Sequence, residues 1–83
     1  MKPMEITVNY FGILGERRGL GVETLSELHS CSAADLYDRL DLTHQLGLKK
    51  SDFRVAVNDS FVEWSHAIQA GDRVAFLPPM SGG

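Results

Sequence analysis

Only one stretch of this chain carries both a helix start signal and a long apolar face. Ser32 offers an N-cap hydroxyl, and Asp35 places an acid in the first turn three residues later. Ala33, Leu36, Tyr37 and Leu40 follow at helical spacing. Asp35 and Arg39 are set to pair across one turn, and the helix is expected to end between Asp41 and Gln45, with Gly47 as terminator. With 83 residues there is room for one small domain. One main helix must therefore cover one face of a sheet, and the strand signals around it supply that sheet.

Met4, Ile6, Val8 and Tyr10 alternate with polar residues, a strand with one buried face. Ile13 and Leu14 predict a weak short helix, because Gly12 and Gly15 interrupt it, closing at Gly19 or Gly21. Val22, Leu25 and Leu28 suggest a second strand with Glu23, Thr24 and Glu27 outward. Residues 46–52 read as loop. Phe53, Val55 and Val57 mark a third strand, and Asn58-Asp59 predicts a tight hairpin into a returning strand over Ser60–Trp64. After the turn at Ala70-Gly71-Asp72, the run Arg73–Leu77 is nearly all apolar and is expected to be central and covered on both faces. Pro78 and Pro79 stop it. The order predicts an α+β fold with a mixed sheet, divided into a domain over 1–77 and a tail over 78–83.

Composition narrows the function. Eight Lys plus Arg against eleven Asp plus Glu give a net charge of −3, which argues against nucleic acid and an anionic membrane surface as partners. The apolar fraction is 43%, ordinary for a folded domain, and no apolar run is long enough to span a membrane. The first residues lack a signal-like stretch, so a cytoplasmic protein is expected. One cysteine, Cys31, excludes an intrachain disulfide framework and Cys-based zinc or iron–sulfur sites. His29, His44 and His66 share no ligand spacing, so no metal is expected. Cys31 precedes a helix start that lowers a thiol pKa when aimed at it, against the plainer role of a small junction residue. Gly12-Ile13-Leu14-Gly15 matches a GxxG nucleic-acid clamp only formally.

The other end of the chain carries the chemistry. The last strand runs into Pro78-Pro79, which fix φ and favour an extended exit, then into Met80-Ser81-Gly82-Gly83. Gly82 and Gly83 have no Cβ, so such an end fits a narrow tunnel. A Gly83 carboxylate is ionised at neutral pH and is a poor acyl electrophile until activated, for example as an acyl-adenylate. From these residues alone, a frayed end without a role stands beside that reading.

Gly71–Gly83, together with Val55-Ala56-Val57-Asn58-Asp59 and Tyr10-Phe11-Gly12, resembles the MoaD/ThiS family of sulfur carriers, the MoaD-type members being small subunits of molybdopterin synthase. The resemblance implies a ubiquitin-like β-grasp fold, a five-stranded mixed sheet with one main helix and a short one. It implies that Gly83 is adenylylated by an E1-like adenylyltransferase that consumes ATP, and that a sulfur-transfer protein then converts it to a thiocarboxylate. The loaded tail then donates sulfur to cyclic pyranopterin monophosphate in the large catalytic subunit of a heterotetrameric synthase. No cofactor is bound by the carrier itself. The same resemblance points to Phe11, Phe61 and Leu77 as partner-binding positions, with Pro78, Pro79, Met80 and Ser81 in the tail. Plain core packing of the three apolar residues stands open beside that role. Met80-Ser81 departs from the β-branched or small pair more usual before Gly82-Gly83. A carrier for thiamine thiazole synthesis, a ubiquitin-like modifier and a plain β-grasp binding module are the alternatives. Thiazole carriers usually lack the segment between Phe11 and Val22.

Overall fold

The computed structural model describes residues 3–78. Strand β1 (Met4–Tyr10) leads to helix α1 (Ile13–Arg18), strand β2 (Val22–Leu28) and helix α2 (Ala33–His44). A single 3-10 turn (Lys50–Asp52) precedes β3 (Arg54–Val57), β4 (Ser60–Val62) and β5 (Arg73–Leu77). The sheet order is β2-β1-β5-β3-β4. β1 and β5 run parallel at its centre, and every other neighbouring pair is antiparallel. This is the mixed five-stranded α+β sheet that the sequence predicts.

Local chemistry sets each element. The Ser32 hydroxyl accepts from the Asp35 amide at 3.1 Å, and the Asp35 carboxylate accepts from the Ser32 amide, a complete capping box. Asp35 is thus spent on the cap, and the expected pair with Arg39 does not form. Helix α2 ends at His44, inside the expected range but three residues before Gly47: Gln45 itself takes the left-handed conformation, at φ 55°. Beyond it Leu46 is buried, so the stretch read as loop contributes to the core. α1 forms despite its glycines because Leu14 is fully buried, and Gly19 closes it at φ 87°. Asn58 and Asp59 both have positive φ, as a two-residue hairpin between Val57 and Ser60 requires.

The core lies on one face of the sheet. Ile6, Val8 and Tyr10 of β1, Val55 and Val57 of β3, and Val74 and Phe76 of β5 all point into it. Ala33, Leu36, Tyr37 and Leu40 of α2 close it from above, as their spacing predicts. Tyr37, Phe53, Trp64 and Phe76 meet edge-on or stacked, with ring centroids 4.8–6.2 Å apart.

Three strand expectations are corrected. β5 is central, but it is covered on one face only: Val74 and Phe76 are buried, whereas Ala75 and Leu77 alternate onto the other, half-exposed face. β2 pairs Leu28 with Met4 but Leu25 with Ile6, so one extra residue bulges out, with Glu27 at φ 66°. That bulge turns both Leu25 and Leu28 inward. It leaves Val22 55% exposed and Glu23 half-buried, the reverse of simple alternation. The returning strand is also shorter than expected, ending at Val62.

Candidate functional site

The open face of the sheet gathers what the sequence singled out. Registers align Asn9 with Ala75, Ala75 with Ala56, and Ala56 with Phe61, a row across four strands. The two alanines keep the middle of this row low. Phe11, just past β1, stands 49% exposed, and Phe61 on β4 stands 57% exposed. Together with Leu77 they wall a shallow groove of ≈ 250 Å³ over the alanines. A second hollow, of ≈ 410 Å³, continues from Phe61 and Leu77 to Pro78. The sequence-named residues Phe11, Phe61, Leu77 and Pro78 therefore lie along one path, on the surface and not in the core. Pro79, Met80, Ser81, Gly82 and Gly83 lie outside the described residues.

Charge rims this apolar face. The Arg54 guanidinium lies 4.1 Å over the Phe61 ring centroid. Arg73 of β5 pairs at 2.8 Å with Asp59 in the β3–β4 turn, and Asn58 holds the Arg73 amide and the Asp72 carboxylate. Asn9, Ala56, Ala75 and Arg54 also line this face and carry no motif spacing of their own. Their signal was the phase of β5: with Val74 and Phe76 inward, Ala75 and Leu77 must face outward, and the paired residues of β1 and β3 go with them.

Other candidates disperse. Cys31 is half-buried beside α2, and burial, with Asp35 nearby, raises its thiol pKa, opposite to helix-dipole activation. This is the junction residue of the plainer reading. Leu14 within Gly12–Gly15 is buried in α1, so that stretch offers no backbone clamp. Asp38 pairs with Lys50, and Asp41 accepts from the Gly47 amide at 2.7 Å, so both serve the loop after α2. Among the described residues no group of three His, Cys, Asp or Glu is placed to hold a metal, and no helix is long and apolar enough to cross a membrane. The strongest polar cluster is structural. Arg18 grips both oxygens of Glu23, at 2.7 and 3.0 Å, while the Tyr10 hydroxyl donates to the same carboxylate.

A mixed five-stranded sheet grasping one main helix, with an open face leading to the chain's exit from β5, is a ubiquitin-like β-grasp protein. Within that class the chain belongs to the ThiS family, whose model matches residues 8–83. It is 30% identical over 83 residues to the molybdopterin synthase sulfur carrier subunit of Homo sapiens, covering 95% of this chain and 94% of that one. Its fold matches small archaeal modifier protein 1 of Haloferax volcanii at a TM-score of 0.77 and 21% identity, over 93% of this chain and 99% of that one. It also matches a chain in the complex of subunits 1 and 2 of molybdopterin-converting factor from Helicobacter pylori, at a TM-score of 0.66 and 21% identity, over 96% and 100% of the two chains.

Proposed function

We propose that this protein is the sulfur-carrying small subunit of a molybdopterin synthase. The observation that carries the reading is the single path formed by Phe11, Phe61, Leu77 and Pro78, which joins an exposed apolar face to the strand end that leads into Gly82-Gly83. Membership of the ThiS family and the human sulfur-carrier relative support it. The domain over residues 1–77 is the handle, and residues 78–83 are the working tail. The setting is the cytoplasm.

In this reading an E1-like adenylyltransferase docks on the open face and takes in the tail. A Gly83 carboxylate oxygen attacks the α-phosphorus of ATP, forming the acyl-adenylate and releasing pyrophosphate. A hydrosulfide-level nucleophile delivered by a sulfur-transfer protein then attacks the acyl carbon. AMP leaves, and a thiocarboxylate remains. With no Cβ at Gly82 or Gly83, the acyl carbon is open to attack from both sides. The same face then docks on the large catalytic subunit, which supplies the catalytic side chains in a heterotetramer. The thiocarboxylate sulfur bonds to cyclic pyranopterin monophosphate, water then cleaves the acyl C–S bond, and the tail returns as a carboxylate. ATP is consumed by the activating enzyme, and the carrier holds no cofactor.

Intact mass after incubation with ATP, the activating enzyme and a sulfur donor tests this directly. The expected result is a gain equal to one oxygen-for-sulfur exchange, absent when Gly83 is deleted. No gain with an enzyme shown to be active on its own carrier rejects the reading. High-mass conjugates through Gly83 point instead to a modifier, and recovery of a thiazole synthase as the bound partner points to a thiamine-pathway carrier.

A further inference from the structure

Arg54 stands apart from the other charges around the open face. Arg73 is neutralised by Asp59 on the adjoining hairpin. Arg54 is exposed and makes no ion pair among the described residues, although Asp52 lines the same hollow. Its guanidinium carbon lies 4.1 Å from the Phe61 ring centroid, beside the hollow that runs on to Pro78. A guanidinium carries five N–H donors in a planar fork that matches a carboxylate. Any protein that covers Phe61 also covers Arg54. A guanidinium buried without an acceptor is costly, and that cost is removed by a carboxylate in bidentate reach.

We infer that the open face is built for a protein partner that brings an apolar patch to Phe11, Phe61 and Leu77 and a carboxylate to Arg54. Arg54 is then the residue that selects among apolar surfaces, admitting those that carry an acid at this point. The inference rests on the docking role given to this face above.

Binding of the full chain to the large synthase subunit and to the activating enzyme, compared for wild type, Arg54→Met, Arg54→Lys and Arg39→Met, tests it. Methionine keeps an apolar stem and removes the charge. Arg54→Met is expected to weaken binding by roughly thirtyfold or more at low salt. It is also expected to flatten the salt dependence shown by wild type. Arg54→Lys retains charge without the planar fork and falls between the two. Arg39→Met, on α2 away from this face, stays at the wild-type value. The sign decides the matter: against a partner that is wholly apolar at this point, Arg54→Met binds as well as wild type or better, and the inference falls alone. If wild type binds neither protein, the docking role and the inference fall together. Unchanged thermal midpoints identify the effect as one on the interface.

Discussion

Glu23 shows how one residue can reverse its sequence-level role. Alternation along β2 places it outward, yet the bulge at Glu27 turns it toward Tyr10 and Arg18. Its hydrogen bonds from Arg18 hold its carboxyl pKa below the usual glutamate range, against the opposing effect of burial. Burial first, and the neighbouring carboxylate second, push the Tyr10 phenol well above its ordinary value, so it stays a neutral donor. A carboxylate with a depressed native pKa stabilises the fold above the unfolded-chain value, roughly 4.3, and loses that contribution as pH falls through the lower native value. Glu23→Gln is therefore expected to cost about 1.5–3 kcal/mol at neutral pH. The gap from wild type should narrow steadily below roughly pH 4. Urea unfolding of both proteins from neutral to acid pH measures this. A gap independent of pH would mean that shape, and not charge, holds the cluster.

The elements legible in the sequence are those whose local chemistry and burial agree. β1 alternates cleanly and has one buried face; α2 has its capping box and its apolar face; Asn58-Asp59 has the residues that tolerate positive φ. The elements misread are those where tertiary contacts supply the missing information. The β2 bulge leaves no composition signal, so Val22 looked buried and is not. β5 contains Ala75, a small apolar residue that reads as core in a run but sits on the open face. α1 looked weak from its glycines, and it is the burial of Leu14 that fixes it. Because α2 is the lid of the core, its cap should matter to the whole domain. Ser32→Ala removes the acceptor of the Asp35 amide and is expected to cost about 1 kcal/mol. Chemical denaturation should show the loss with an unchanged slope. A neutral result would mean that the Asp35 carboxylate and the bridge from Ser32 to Ala67 hold the helix start unaided.

The molecule as a whole is a sheet with one face spent on stability and the other left open, the face to which the proposed function assigns docking. Phe76 and Phe61 divide those tasks within 16 residues of each other in sequence. Phe76 is fully buried between Tyr37, Phe53 and Trp64, whereas Phe61 meets solvent and the Arg54 guanidinium. Sequence resemblance picked out Phe11, Phe61 and Leu77, but periodicity could not orient Phe11 or Phe61. Phe11 lies beyond the end of β1, and β4 is only three residues long, too short for alternation to show. Two truncations separate the faces. Phe76→Ala should cost about 3–5 kcal/mol, a large share of the roughly 5–15 kcal/mol that holds a domain together. Phe61→Ala gives up an exposed ring and a surface cation–π contact, so about 1 kcal/mol or less. Under the proposed function its effect belongs to binding: as a central aromatic of the proposed docking face, its loss should weaken binding to the large synthase subunit by about 2 kcal/mol or more, some thirtyfold. Calorimetry of binding beside thermal melts reads both quantities from the same samples. If Phe61→Ala instead melted like Phe76→Ala, or bound like wild type, the open face would be no docking surface. The sheet would then have only one working side.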